Sequence, residues 1–334
     1  MPSVLEAMER PRIIHLEGGL YGAYFSLMKV LPACHMLRRG EERGELQPGM
    51  RVIETTSGSM GLALAMVSRL RGYACTIVGD QAIDTHMQAR LTALGAEVSL
   101  VSQPVARGGI QQARLNRVRE LQQRHPWHYA PSQYSNPDNP QAYGLAADSM
   151  LRAMGEVDCV VGTVGSGGST CGTTAFLRAA SPEVRLVGVD TPGSVLFGAP
   201  EGPRLLRGMG SSIRPSVLDP TMFDEVHWVD APEAFCATRQ LYRRHCLFMG
   251  GTSGAAYLVA RWWAAANPGA RVVVLLPDEG FRYQDTVYSD DWLRSQGAYL
   301  RQEPRVPVEV SDPGEVGPGW SRMDWKQRPV PEFV

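Results

Sequence analysis

Six short apolar runs, each bounded by turn residues, constrain this 334-residue chain more than any other feature. They are "RVIET" (51–55), "YACTIVG" (73–79), "AEVSLV" (96–101), "DCVVGTV" (158–164), "RLVGVD" (185–190) and "RVVVLL" (271–276). Between most of them lie segments of helical length and pattern, near 31–43, 60–71, 82–94, 109–124, 140–154, 170–180, 232–246 and 254–265. Near-continuous apolar strands must be covered on both faces, and strands alternating with helices pair in parallel. The fold class expected is α/β, in two lobes with parallel-type twisted sheets covered by helices. Such folds bind ligands beyond the carboxyl ends of their strands.

Charge and composition narrow the class of partner. Lys plus Arg total 33 against 34 for Asp plus Glu, a net charge of −1, and no basic block stands out, so nucleic acid is not expected. No segment reaches membrane-span length without charges, and "MPSVLEAMERPR" has no apolar leader core, so the expectation is a cytoplasmic protein away from membranes. Cys34, Cys75, Cys159, Cys171, Cys236 and Cys246 form no CxxC pair and no paired Cys/His spacing. They are expected to be reduced, mostly in cores, with no metal site.

Two strand–loop–helix units carry the chemistry. In "ETTSGSMG" (54–61) a strand gives way to hydroxyls and glycines and then to a helix start, whose free amides and positive dipole suit a small anion. In "GTVGSGGSTCG" (162–172), Gly165, Gly167 and Gly168 allow close backbone approach, and Ser166, Ser169 and Thr170 add hydroxyls, as a phosphate requires. The loop lacks the GK[ST] ending of a nucleotide P-loop and the spacing of a dinucleotide fingerprint.

The pair "TSGSMG" and "GSGGSTCG", in this order, resembles the "TSGNTG" and "GTGGT" loops of the pyridoxal-phosphate (PLP) enzymes of fold type II, among them cysteine synthase and cystathionine β-synthase. The resemblance runs from about Ser26 to Gly297 and implies a tryptophan synthase β-like fold. In that family the lysine that binds the cofactor lies 28 residues before the loop serine, and here Lys29, in "FSLMKVLPA", lies 28 before Ser57. The resemblance implies that Lys29 is catalytic. It implies that PLP is held by Lys29, Ser59, Gly165, Ser166, Gly167, Gly168, Ser169 and Thr252, the last in "MGGTSGAA". A substrate carboxylate is implied at Thr56, Ser57, Gly58 and Met60 with Gln133. The implied layout is a smaller mobile lobe over 34–142, a larger cofactor lobe over 1–33 plus 143–300, and a Pro-rich tail over 301–334 that is either an arm on a partner or disordered. A homodimer is the family's habit.

The sequence also departs from the family pattern. The family's "NPGGSVKDR" is replaced by "YGAYFSLMKVLPA", so Val30-Leu31 follows the lysine in place of Asp-Arg. Ser59 stands where the family has asparagine, and Met60 where it has threonine or leucine. The stretches "VDTPGSVLFG", "GMGSSIRP" and "YSDDWL" resemble the N-(2-amino-2-carboxyethyl)-L-glutamate synthase branch. That branch implies β-replacement on O-phospho-L-serine through an α-aminoacrylate, with glutamate as the amine, in siderophore or antibiotic biosynthesis. Arg207 is the candidate for the leaving phosphate and Arg214 its competitor. Sulfur transfer, as in cysteine or cystathionine synthases, and a catalytically weak binding or scaffold protein stay open beside it.

Overall fold

The computed structural model describes residues 3–56, 58–302 and 304–330. All six expected strands form, as β3 (Arg51–Thr55), β4 (Ala74–Asp80), β5 (Glu97–Val101), β7 (Cys159–Thr163), β8 (Arg185–Asp190) and β10 (Val272–Leu276). Six more join them: β1 (Arg12–Glu17), β2 (Leu20–Tyr24), β6 (His128–Tyr129), β9 (Glu225–Val229), β11 (Val308–Glu309) and β12 (Trp320–Asp324).

The strands make two sheets. Four pair in parallel in the order β5-β4-β3-β6. Eight form the larger sheet, β1-β2-β10-β7-β8-β9-β12-β11, parallel from β2 through β9 and closed by antiparallel β1 on one side and β12 on the other. The period of two along β10 shows why its run is apolar throughout. Val272, Val274 and Leu276 enter one core with helices Ala231–His245 and Gly251–Ala266, while Val273 and Leu275 enter the core on the opposite face. A third core, under the small sheet, gathers Val52, Ile77, Met60 and Leu64.

The segment rewritten relative to the family is held by backbone and by apolar burial. After β2, Phe25 N–H donates to Leu276 O (3.0 Å) and Met28 N–H to Pro277 O (2.8 Å), so the chain follows β10 to its end before helix Val30–Glu42 begins. Val30 and Leu31 are fully buried, the first in the small-sheet core and the second in a large-sheet core. Two apolar residues thus join the cores where the family has an ion-forming pair.

Residues 308–309 and 320–324 of the Pro-rich tail belong to the large sheet. Arg322 Nε donates to Glu225 Oε2 (2.8 Å) and Trp320 Nε1 to His227 Nδ1 (3.0 Å), tying β12 to β9 through inward polar groups. Five cysteines are buried and Cys246 is exposed, all as free thiols. No helix among the described residues is long and apolar enough to cross a membrane.

Candidate active site

The parallel strands of both sheets direct their carboxyl ends at one cavity of about 290 Å³. Into it come Lys29 after β2, Thr56, Gly58, Ser59 and Met60 after β3, Gln133 after β6, and Gly165, Ser166 and Ser169 after β7. Arg207 comes from the β8–β9 connection, Thr252 from the start of helix Gly251–Ala266, and Asp278 from the turn after β10.

Lys29 precedes the first turn of helix Val30–Glu42. Burial pushes its ammonium down to about 8 from an ordinary 10.5. The positive end of the helix acts in the same direction. The result is an amine whose neutral, nucleophilic form is populated near physiological pH.

In the same cavity, Ser59 opens helix Ser59–Arg71, with Gly58 at its N-cap. Thr56 N–H donates to Val78 O (2.9 Å), and its hydroxyl accepts from Gly58 N–H (3.1 Å), which folds the loop back over the helix start. Ser57 lies outside the described residues. Beneath the loop, the Glu54 carboxylate accepts from Thr55 N–H (2.7 Å) and Gln133 N–H (2.9 Å). Burial raises its pKa to about 7 despite those two donors. The Gln133 amide in turn donates to Thr55 O (2.9 Å), so the glutamine is fixed at the loop's edge.

The glycine loop and this first loop share a connector. Asn139, fully buried, donates to Gln133 O (2.7 Å) and to Ser166 Oγ (3.3 Å). Gly165 lines the cavity, and a Cβ added there would meet Gly208 O tightly, at 3.3 Å. Gly167 and Gly168 stand behind the lining. Gly167 has φ +85° and a Cβ on it would come within 2.8 Å of Leu218, while a Cβ on Gly168 would come within 2.5 Å of Asn139 Oδ1. Helix Gly168–Ala180 starts at this turn, so its first amides are disposed toward an anion.

Of the two candidate arginines, the structure brings Arg207 to the cavity and leaves Arg214 outside its lining, at the surface. Gly208 and Gly210, both with positive φ, turn the chain between them, and Ser211 N–H is then tied to Ser194 Oγ (3.0 Å). Asp278 is partly buried, with its Oδ2 accepting from the Tyr283 hydroxyl (2.8 Å) and its pKa raised by burial.

Several lining residues were not singled out from the sequence: Gln111, Arg114, Asp84, Tyr134 and Arg282. Arg114 is 2 % exposed and pairs through Nη1 with the buried Asp80 carboxylate (3.1 Å), while among the described residues its Nε has no hydrogen-bond partner. Asp80 balances the charge, and the buried Nε is the donor that a further acceptor would satisfy. Its signal was present in the sequence, because Arg114 falls in line with Val118 and Leu121, at i+4 and i+7, on the buried stripe of helix Gly109–Arg124.

The residues present fit a phosphorylated pyridine aldehyde. A lysine held near neutrality, a glycine turn opening a helix N-terminus, and a threonine hydroxyl at a second helix start all line one cavity. A sequence profile described as "Pyridoxal-phosphate dependent enzyme" matches residues 27–278. The N-(2-amino-2-carboxyethyl)-L-glutamate synthase of Ralstonia nicotianae is 37% identical over 290 residues, covering 84% of this chain and 86% of its own. The enzyme of the same name from Cupriavidus metallidurans is 36% identical over 272 residues, 80% of each chain. Among solved structures, a hydrogen sulfide-producing enzyme from Fusobacterium nucleatum superposes with TM-score 0.79 at 26% identity, covering 85% of this chain and 99% of that one.

Proposed function

The chain belongs to the pyridoxal-phosphate-dependent enzymes and catalyses β-replacement, and from that premise we propose that it joins O-phospho-L-serine to the amine of L-glutamate, yielding a 2,3-diaminopropionate precursor. The observation that carries the choice of substrates is Arg114, a buried guanidinium in the same cavity as Lys29 whose Nε has no hydrogen-bond partner beside its Asp80 pair, with Arg207 as a second cation. A sulfide nucleophile brings no carboxylate and gives these cations nothing to hold beyond the serine. Phosphoserine and glutamate together bring a phosphate and three carboxylates. Planar guanidinium forks match both groups. The names of the two relatives above point the same way.

In this reading PLP, when bound, supplies an electrophilic carbon and an electron sink that make the Cα proton and the Cβ substituent of an amino acid labile. The glycine turn 165–169 would hold its phosphate, and the Thr252 hydroxyl would serve as hydrogen-bond partner to its ring nitrogen. Lys29 Nζ, neutral in part because its pKa is near 8, takes the Cα proton and later returns it to the same carbon. The amides at Gly58, Ser59 and Met60, with Thr56, Ser57 and Gln133, hold the α-carboxylate and so fix the Cα–H bond toward Lys29. Ser59 reaches less far than the family's asparagine and closes its gap through the loop fold or water. Arg207 neutralises the departing phosphate, and Arg114 receives an anionic group of the substrates.

A spectral titration tests this reading. Added to the PLP-loaded protein, O-phospho-L-serine should shift the cofactor's visible absorption at concentrations where L-serine does not, with stoichiometric release of phosphate. Arg114→Ala should raise the concentration needed by roughly 10–100-fold, the scale of losing a charge-assisted hydrogen bond or two. An unchanged spectrum with O-phospho-L-serine, or a shift indifferent to Arg114, would contradict the assignment.

A further inference from the structure

We propose that Arg282 is a positioning residue, a latch that reaches from the large sheet to the small one and holds the anion-binding loop in register over the cavity. The inference rests on the reading above that the substrate carboxylate docks at 56–60. Arg282 belongs to the turn Gly280–Tyr283 that follows β10, yet its guanidinium reaches across to the small-sheet segment. Nη2 donates to Ala82 O (3.1 Å), Nε lies 3.5 Å from Asp84 Oδ2, and Nη1 lies 3.7 Å from where a Cβ on Gly58 would stand.

The segment it grips is itself wired to the site. Asp80 faces Arg114 at 3.1 Å and accepts from Ala82 N–H (2.8 Å). Ile83 N–H donates to Asp80 O (2.9 Å), and the Ile83 side chain packs on Gly79. The Val78 carbonyl holds Thr56 N–H. Residues 78–84 therefore connect Thr56, Arg114 and Arg282 through direct contacts, and Arg282 is the member anchored in the other sheet. A partly exposed ion pair at 3.5 Å contributes little by itself. What the guanidinium adds is a fork that satisfies a backbone carbonyl and a carboxylate at once, fixing the distance between two sheets.

Asp84 permits a clean test because it has a second task. It caps helix Thr85–Ala93 by accepting from Met87 N–H (2.7 Å), and asparagine caps as well as aspartate does. Asp84→Asn thus removes the charge facing Arg282 and leaves the helix intact. Arg282→Gln, Arg282→Lys, Asp84→Asn and the Arg282→Gln/Asp84→Asn double variant would be compared as holoenzymes in two measurements.

The first is amide hydrogen exchange over 80–84 without substrate, which should quicken in Arg282→Gln while thermal unfolding stays near wild type. The second is steady-state kinetics with O-phospho-L-serine. There KM should rise roughly tenfold in Arg282→Gln with kcat within about twofold, Arg282→Lys should recover part of it, and the double variant should be no worse than Arg282→Gln alone. Unchanged exchange would overturn the latch. Faster exchange with unchanged KM, or single effects that multiply in the double variant, would overturn its positioning role. Failure of the wild type to turn over O-phospho-L-serine would instead count against the substrate assignment, and the exchange measurement would still decide the latch.

Discussion

Burial moves two titratable groups of the site toward each other on the pH scale, Lys29 down to about 8 and Glu54 up to about 7. The glutamate gives a prediction about stability. Its folded-state pKa lies above the ordinary 4.5, so its contribution is fully present below pH 4.5 and is lost as pH rises through about 7. The span corresponds to about 3 kcal/mol. Glu54→Gln removes that dependence and also one of two backbone acceptors, at a constant cost of about 1 kcal/mol. In urea unfolding at pH 5 and pH 8, wild type should lose stability relative to the variant by roughly that 3 kcal/mol; a difference that does not change with pH would contradict the burial argument. At this scale the sequence was readable where a role depends on spacing. Lys29 was singled out by the family's spacing from Ser57 and Thr252 by the likeness of "MGGTSGAA" to a family loop, and both line the cavity. Arg207 was preferred to Arg214 by resemblance alone, because the turn at Gly208 and Gly210 that parts them in space reads only as two more glycines. Arg114 was overlooked because "QQARLNRVRE" reads as a charged face until its phase against Val118 and Leu121 is worked out.

At the scale of elements, the glycine turn and helix Gly168–Ala180 are held by contacts that tolerate no added carbon. A methyl at Gly168 would meet Asn139 Oδ1 at 2.5 Å and Nδ2 at 2.9 Å, displacing the residue that joins Gln133 to Ser166. Gly168→Ala should therefore cost roughly 1–3 kcal/mol of stability and weaken PLP binding when followed by absorbance titration of the apoprotein. Equal affinity and stability would show that the Asn139 link does not support the site. Strands were legible where both faces are apolar, as in β10, and hidden where they are not. β1 has an exposed, polar alternation, and β9 and β12 carry polar groups into the sheet that pair across the two strands, Glu225 with Arg322 and His227 with Trp320, with Trp263 also reaching Glu225. Taken singly, "EVHWV" and "WSRMD" look like polar segments. Their meaning as strands appears only when 225–229 and 320–324 are side by side.

For the whole molecule, two sheets whose strand ends converge give a cavity between covered layers, and this much follows from the six apolar runs and the two loops. The proposed choice of nucleophile does not, since it rests on Arg114 and Arg207, which reach the cavity from distant segments. Gln111 illustrates this convergence. From the small-sheet side its Oε1 accepts from Ser211 Oγ (3.1 Å) and Ser212 N–H (2.5 Å), in the same connection that carries Arg207. The central claim is that this cavity joins a serine carbon to an amine nitrogen, and mass spectrometry of the product tests it most directly. With PLP-loaded protein, O-phospho-L-serine, ¹⁵N-labelled L-glutamate and sulfide together, the account predicts a labelled adduct joining the serine skeleton to the glutamate nitrogen, formed in preference to cysteine. Cysteine as the only product, with no label transferred to the serine carbon, would contradict it.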